Sequence, residues 1–298
     1  MPPKPGPPPR QVSRRRILVR RIAAIGALVV VALVAFAIVK VAGGSSHGAT
    51  PSTTAAPPPP KPFRIIFPEG FTRNDMAHRV TVVAKIAQRK SHKHVLLSSP
   101  GYLHWSQPRA VDGFGNAKHN LEGFLFPATY DFLRNTTSKQ LVQEQLDAFH
   151  QNWSKVNLSY ARSKHLTPYD VLIIASLVEK EALAPDERPK IARVIYNRLH
   201  AHMNLGIDAT TRYGLHVPGT KALTQSELAS TNPYNTRNPD IVGLPPTPIA
   251  NPGLASMQAA AHPASGDWLY FVRKPDKQHH YFTANYNDFL NHERLYGY

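Results

Sequence analysis

The 298-residue chain contains no cysteine. This absence excludes disulfide bonds, thiolate metal sites and a cysteine nucleophile. An HExxH zinc motif, a phosphate-binding P-loop and a GxGxxG dinucleotide motif are also missing. The 15 histidines are scattered, and the adjacent pair His279-His280 falls on a predicted strand, where neighbouring side chains point to opposite faces. We therefore expect neither a metal site nor a cofactor.

Acidic residues are absent before Glu69, whereas Lys and Arg are frequent there. From residue 41 onward the chain has 27 Lys and Arg against 19 Asp and Glu, so the formal net charge of +16 overstates how basic the folded part is. A moderately basic surface suits an anionic partner such as wall polymer or phospholipid, and it is equally typical of an ordinary soluble surface. No nucleic-acid-binding module is recognisable, so we expect no nucleic-acid partner.

Residues 22–39 form a run of 18 residues without a polar side chain, close to the minimum length of a membrane-spanning helix. The positive-inside rule predicts a single-pass anchor with residues 1–21 as a disordered basic tail in the cytoplasm and the rest outside. A cleaved signal peptide is the alternative, but the run exceeds a usual signal-peptide core. The basic residues before the run are Arg14, Arg15, Arg16, Arg20 and Arg21, and Lys40 alone follows it directly.

Residues 40–62 read as a Pro-rich linker, whose extended backbone rises about 3 Å per residue and can hold a domain roughly 60 Å from the membrane. The folded part of the chain is predicted to begin at Phe63. The segment 63–105 contains a strand and a Thr72-capped helix, which predicts a small α+β unit. This unit is either a plain packing subdomain or a sugar-binding subdomain.

The remaining residues, 106–298, are predicted to be α-rich with one β-hairpin, which makes the folded part α+β. The hairpin strands are residues 268–272 and 279–283. Helices are expected at residues 137–153, from Thr167-Pro168 onward, from Asp186-Glu187 onward, from Asn251-Pro252 to about Ala261, and from Tyr286 to Arg294.

Two acids, Glu179 and Glu181, follow the apolar run VLIIASLV at residues 171–178. A carboxylate at the end of so apolar a helix is costly to bury in charged form, and a protonated carboxyl can act as a general acid. The two acids lie two residues apart, about 200° around a helix, so they do not face one cleft. Sequence alone leaves Glu179 open between a helix-end charge and a catalytic acid, while Glu181 is expected to pair with Arg188 or Lys190.

Two further acids lie in unusual surroundings: Glu122 in the aromatic segment LEGFLFPATY, and Asp208, which either caps a helix or binds sugar hydroxyls. The Pro-rich stretch 233–253 predicts a long, stiff loop of the kind that lines sites. In it, Tyr234, Asn235 and Thr236 offer a ring and hydrogen-bonding groups that suit a sugar. Other acids are assigned to caps, turns or polar helix faces: Asp75, Glu144, Asp147, Asp186, Glu187 and Asp276.

Six blocks resemble, in order, the signature blocks of the endolytic murein transglycosylases, the YceG-like family. The resemblance covers roughly residues 63–298. Three residues near the predicted site depart from the family pattern. In LGIDATT, Gly206 replaces a glutamine and Ala209 replaces a proline, and Arg237 stands where the family has an aromatic ring. The blocks are LEGFLFPATY (121–130), ASLVEKEA (175–182), IARVIYNRL (191–199), DATTRYGL (208–215), PYNTRNPDIVGLPPTPIANPGLASMQAAAHP (233–263) and LYFV (269–272).

This resemblance implies a LysM-like subdomain at residues 63–105 and a catalytic domain at 106–298. It implies cleavage of peptidoglycan glycan strands between N-acetylmuramic acid and N-acetylglucosamine, without water, to leave a 1,6-anhydro end. It assigns Glu179 as the catalytic acid and links the family to nascent strands and peptidoglycan synthases. We expect Tyr234, Asn235, Thr236, Asp208 and Glu122 to hold the glycan. Two alternatives stay open: a hydrolase that uses water with Glu122 as second carboxylate, and a non-catalytic wall-binding scaffold.

Overall fold

The computed structural model of the protein describes residues 60–115 and 118–298. The predicted cytoplasmic tail, the predicted transmembrane helix at 22–39 and nearly all of the linker at 40–62 lie outside these residues. Within the described ranges, no helix has the length and apolarity needed to cross a membrane. The anchor therefore stays a prediction of the sequence.

The described residues have the predicted α+β class, with seven consecutive α-helices between the second and third of four short strands. The strands are β1 (Phe63–Ile66), β2 (Thr129–Phe132), β3 (Tyr270–Arg273) and β4 (His280–Thr283). The helices are α1 (Arg73–Ser91), α2 (Ser99–Trp105), α3 (Ser138–Trp153), α4 (Ser159–Ser163), α5 (Pro168–Glu181), α6 (Arg188–His200), α7 (Asp208–Leu215), α8 (Gln225–Leu228), α9 (Leu254–Ala261) and α10 (Tyr286–Tyr296).

The strands form two antiparallel pairs. The predicted hairpin is confirmed, since β3 pairs with β4 and Phe271 lies opposite Phe282. Strand β1 pairs with β2, with Ile65 opposite Tyr130. Because β2 lies beyond residue 105, the segment predicted as a LysM-like subdomain shares its sheet with the segment predicted as the catalytic domain. The boundary between the two stays a prediction.

Three predicted helix starts are confirmed by capping boxes. In each, a threonine side chain accepts a hydrogen bond from the backbone N–H three residues on, and the side chain of that residue accepts one from the backbone N–H of the threonine. The pairs are Thr72–Asp75 for α1, Thr137–Gln140 for α3 and Thr167–Asp170 for α5.

Two helices begin later than predicted. The helix expected from Asp186 begins at Arg188, because a 3-10 turn spans Pro185–Glu187. The helix expected from Asn251-Pro252 begins at Leu254, with Gly253 as its N-cap residue. Helix α9 begins later because the side chain of Asn251 is hydrogen-bonded to other segments and does not cap the first turn of the helix.

Helix α5 lies at the centre of the core. All residues from Val171 to Val178 are buried, and the helix packs against both α9 and α6. The inner residues of α9 are mostly small, with Ser256, Ala259 and Ala260 buried, so the two helices can approach closely. This packing fixes the direction in which the last turn of α5, and hence Glu179, leaves the core.

The side chain of Asn251 joins three segments that are far apart in sequence. Its Oδ1 accepts hydrogen bonds from the backbone N–H groups of Gly123 at 2.9 Å and Leu125 at 3.0 Å. Its Nδ2 donates to the carbonyl of Phe71 and to Oε1 of Glu122, both at 2.9 Å. The amide thus uses both donors and both acceptor positions, inside a fully buried side chain. These contacts are called the Asn251 network below.

Backbone hydrogen bonds run alongside this network. The N–H of Gly70 donates to the carbonyl of Asn251 at 3.0 Å, and the N–H of Asn251 donates to the carbonyl of Phe71 at 2.9 Å. The turn after β1 is therefore fixed along the residues that lead into α9.

We expect Asn251→Ala to lower the free energy of unfolding by about 3 kcal/mol, because it leaves the buried N–H groups of Gly123 and Leu125 without their acceptor and removes one of the two donors to Oε1 of Glu122. Urea denaturation of the purified protein measures this. Asn152→Ala is the matched control, since that amide lies near the surface, where it donates to the carbonyl of Ala148 and accepts from Nζ of Lys155, and its loss should cost under about 1 kcal/mol. Equal losses in the two variants would contradict the central role of the Asn251 network.

Candidate active site

Helix α5 presents Glu179 at the edge of the core. Its capped start and its buried apolar run set the helix axis, and the Ser176 hydroxyl accepts a hydrogen bond at 3.0 Å from the backbone N–H of Ile249. The side chain of Glu179 is only 7% exposed. It is therefore a carboxyl group held in a largely dry position that solvent and a ligand can still reach.

Two groups contact the Glu179 carboxylate. The backbone N–H of Gly253, the N-cap residue of α9, donates to Oε2 at 3.0 Å. The guanidinium Nη2 of Arg188 lies 3.8 Å from Oε1. Both the helix N-terminus and the arginine stabilise negative charge on this carboxylate. A proton acceptor is thus fixed in one orientation, as acid–base chemistry requires.

Glu69 is the acid that sequence reasoning missed. It lies in the turn after β1, and its Oε2 is 4.0 Å from the same Nη2 of Arg188 that faces Glu179. Burial raises the pKa of Glu69, the nearby charge of Glu179 raises it further, and Arg188 opposes both effects. No local pattern in the sequence marks Glu69, because Pro68-Glu69-Gly70 reads as an ordinary turn.

Glu181 faces different surroundings, as the helical spacing predicts. Burial raises its pKa to about 7, and the charge of Asp208 adds to this effect, while Arg273 and Arg237 oppose it. The predicted pairing of Glu181 with Arg188 is wrong, since Arg188 lies against Glu179 and Glu69 instead. Glu179 and Glu181 thus do not form a carboxylate pair.

A cleft of about 660 Å³ opens beside the turn after β1. Its lining includes Arg73, Glu122, Lys180, Tyr213 and Tyr234. Two of the residues predicted to hold a glycan, Glu122 and Tyr234, therefore share one cleft. Lys180 lines this cleft and follows Glu179 directly in sequence. Its Nζ donates to the carbonyl of Gly70, in the turn after β1, at 3.3 Å.

Glu122 is held by three hydrogen bonds at the floor of the cleft. Its Oε1 accepts from the backbone N–H of Arg73 and from Asn251, and its Oε2 accepts from the hydroxyl of Tyr213 at 3.1 Å. Only 2% of the residue is exposed, and burial raises its pKa to about 7. Glu122 is thus part of the Asn251 network, which limits what its carboxylate can do for a ligand.

Asn235 and Thr236, which the sequence predicts to hold the glycan, lie in the interior. Both are fully buried. The amide of Asn235 accepts from the hydroxyl of Thr211 at 2.8 Å and donates to the carbonyls of Leu228 and Ser230. These side chains hold the loop to the neighbouring helices and leave no polar atom for a ligand.

Thr236 has an equivalent role, since its hydroxyl accepts from the backbone N–H of Ile207 at 3.0 Å and contacts the hydroxyl of Thr210 at 2.8 Å. Tyr234 differs, because its ring is only partly buried and its hydroxyl contacts that of Thr247 at 2.8 Å. Of the three neighbours, Tyr234 alone has a face available to the cleft.

Asp208 is the first residue of α7 and does not act as its N-cap, which is Ile207. Its carboxylate forms an ion pair with Arg237, and both side chains are about half exposed. The arginine that stands in place of the family's aromatic ring is therefore used for a charge pair with Asp208.

Glu187 lies at a helix N-terminus, as assigned, since it is the N-cap residue of α6, but its side chain does not cap that helix. Its carboxylate accepts from the backbone N–H of His280 at 2.9 Å, and its Oε2 lies 2.7 Å from His280 Nδ1, with both side chains buried. His279, directly before β4, is exposed, whereas His280 is buried. The pair joins the hairpin to the turn just before Arg188. In the described part of the chain, no three acidic or histidine side chains converge to hold a metal ion.

Comparison with known proteins gives a consistent result. The model of the YceG-like family matches residues 50–294. Endolytic murein transglycosylases of Bacillus subtilis (strain 168) and Streptococcus pneumoniae (strain ATCC BAA-255 / R6) are 38% identical over 159 residues and 32% identical over 239 residues. These matches cover 53% and 75% of this chain, and 43% of each relative. The chain thus spans less than half the length of the curated relatives it matches.

A crystal structure of a yceG-like protein from Listeria monocytogenes has a similar fold, with a TM-score of 0.64 and 29% sequence identity. The match covers 77% of this chain and 75% of that one.

The raised pKa of Glu122 predicts a pH dependence of stability. Because the folded-state value of about 7 lies above the ordinary 4.5, the contribution of the protonated carboxyl is fully present below about pH 4.5 and is lost as the pH rises through 7. Glu122→Gln mimics the protonated form. We expect the difference in unfolding free energy between this variant and the native protein to change by about 1 to 3 kcal/mol between pH 5 and pH 8, in favour of the variant at pH 8.

Urea titrations at several pH values measure this difference. Asp131→Asn, which removes an exposed carboxylate paired with Arg64, is the control and should follow the native profile. A Glu122→Gln profile parallel to the native one would show that the carboxyl is not protonated in this range.

Proposed function

From the premise that this chain belongs to the YceG-like family, we propose that it is a membrane-anchored lytic transglycosylase that cuts peptidoglycan within its glycan strands. The bond cleaved is that between N-acetylmuramic acid and N-acetylglucosamine, and the product carries a 1,6-anhydro-N-acetylmuramic end. The names of the B. subtilis and S. pneumoniae relatives support this activity. The observation that carries it is the fixed, nearly buried carboxyl group of Glu179 at the end of α5.

Glu179 performs both proton transfers of this mechanism. Its protonated carboxyl donates to the glycosidic oxygen as the bond from that oxygen to C1 of the muramyl residue breaks. The C6 hydroxyl of the same sugar attacks C1, and the Glu179 carboxylate takes the hydroxyl proton. Protons balance, no water is consumed, and one carboxyl is enough because the nucleophile belongs to the substrate. General acid–base help of this kind contributes about 10²- to 10⁴-fold in rate.

Gly253 and Arg188 support the second half of this reaction. The N–H of Gly253 fixes the orientation of the carboxylate, and Arg188 stabilises its charge once the proton has left. The glycan itself is held in the neighbouring cleft, where the exposed face of Tyr234 and the cations Arg73 and Lys180 suit a sugar chain that carries acidic substituents.

A hydrolase with water as nucleophile is the first alternative. It needs a second carboxylate free to activate water. Glu122 suits this role poorly, because three hydrogen bonds already occupy its two oxygens. A non-catalytic wall-binding scaffold is the second alternative, and it requires no reactive carboxyl at all.

The proposed location of the enzyme follows from a membrane anchor at residues 22–39. The arginines before this run favour a cytoplasmic N-terminus and a catalytic domain outside the membrane. An enzyme tethered in this way meets glycan strands close to where they are made, so we propose that it ends or releases nascent strands and works beside peptidoglycan synthases.

Glu179→Gln should reduce release of anhydro-muropeptides from purified peptidoglycan by at least about 100-fold. Glu181→Gln is the matched control, since it removes a carboxyl two residues away on the same helix that faces other groups. This control should retain most of the activity.

Mass spectrometry of the products separates the three functions. Transglycosylation leaves products without added water, and hydrolysis adds one water per cut. Hydrolytic products would reject the proposed chemistry in favour of the first alternative. Binding to sacculi without any cleavage, unchanged in Glu179→Gln, would favour the scaffold.

A further inference from the structure

The turn after β1 brings a second carboxylate to Glu179. The backbone hydrogen bonds of Gly70 and Phe71 to Asn251 fix this turn beside the residues that lead into α9. Glu69 is held there with its side chain 48% exposed. A residue that precedes Glu179 by 110 positions in sequence thus forms one edge of the proposed active site.

Gly253 lies beneath both carboxylates. Its N–H donates to Glu179, and a Cβ atom built at this position would overlap the carboxylate of Glu69. The backbone of Gly253 has an ordinary negative φ of −78°, so the glycine provides space here, and a side chain would displace the carboxylate of Glu69 from its present position. Only a residue without a side chain lets the two carboxylates meet over the same peptide.

The charges around Glu179 come from few groups. Glu69 faces it from the turn, Arg188 from α6, and the N–H of Gly253 from the start of α9, whose first turn carries no acidic residue. Lys180 is directed to the carbonyl of Gly70. Two anions therefore share one guanidinium, since both carboxylates lie within 4.0 Å of Arg188 Nη2.

This arrangement addresses a difficulty in the proposed reaction. An arginine and a helix N-terminus both favour the ionised carboxylate, whereas the first step needs a protonated one. A second anion beside the same arginine opposes ionisation, because two neighbouring carboxylates favour a state with one proton between them.

We propose that Glu69 is a positioning residue for Glu179, and that the two carboxyl groups form a coupled pair around Arg188 which holds one proton for delivery to the glycosidic oxygen. The role assigned to Glu69 in catalysis rests on the proposed function, whereas the coupling of the two carboxyls does not. After the proton has left, Arg188 balances one of the two negative charges, and the proton taken from the C6 hydroxyl restores the pair.

The coupling is measured by NMR on the full-length protein with ¹³C-labelled glutamate carboxyls, assigned through Glu69→Gln and Glu179→Gln. In the native protein the Glu179 signal should respond in two steps, as expected for an interacting pair. In Glu69→Gln it should respond in one step with its midpoint about one pH unit lower, because the opposing charge is gone. Identical Glu179 titrations in both proteins would overturn the proposal, whatever the protein's activity.

The pH profile of glycan cleavage gives the second measurement. A general acid is lost as the pH rises, so the alkaline limb of the Glu69→Gln profile should move to lower pH by about one unit, with its maximal rate less affected. Asp131→Asn is a matched control, since Asp131 also pairs with an arginine and is 52% exposed, and its profile should equal the native one.

These measurements separate the two proposals. Cleavage with an unshifted Glu69→Gln profile would overturn the role of Glu69 and leave the proposed function intact. Coupled NMR titrations without any glycan cleavage would overturn the proposed function and keep the carboxylate pair.

Discussion

The hydrogen bonds that the Asn251 side chain makes with the Gly123–Leu125 backbone, Phe71 and Glu122 hold together segments that local sequence preferences would not bring into contact. They bind the turn after β1, the loop that carries Glu122 and the residues before α9 into one unit. Because a buried amide must satisfy all its donors and acceptors, small displacements of any of these segments are costly. The positions of Gly253 and Glu69, and so the surroundings of Glu179, follow from this constraint.

Sequence reasoning predicted the features that depend on local physics. The threonine caps of α1, α3 and α5, the hairpin of β3 and β4, and the opposite directions of Glu179 and Glu181 all follow from spacing and side-chain type within a few residues. Glu179 itself was singled out because a carboxyl after a long apolar run is unusual, and the family blocks then favoured it over its neighbour.

The features that the sequence did not predict depend on contacts between residues far apart in sequence, and no local pattern indicates such contacts. By its neighbours in sequence Glu69 is an ordinary turn residue, and only the fold places that turn beside Gly253. Asn235 and Thr236 have the chemistry of sugar ligands, and whether such groups face a cleft or the interior is decided by packing. Glu187 fits a helix start by composition, yet its carboxylate is drawn to His280 from a strand more than ninety residues later.

The pairing of β1 with β2 also bears on how this protein can be divided or recombined. A fragment that begins at residue 106 would lose a strand partner, the peptide that lies along Asn251 and the carboxylate that shares Arg188 with Glu179. The N-terminal segment is therefore not an exchangeable module attached to an independent enzyme. Chimaeras that replace residues 63–71 with a foreign sugar-binding unit would change the surroundings of Glu179, even though every residue of α5 stayed unchanged.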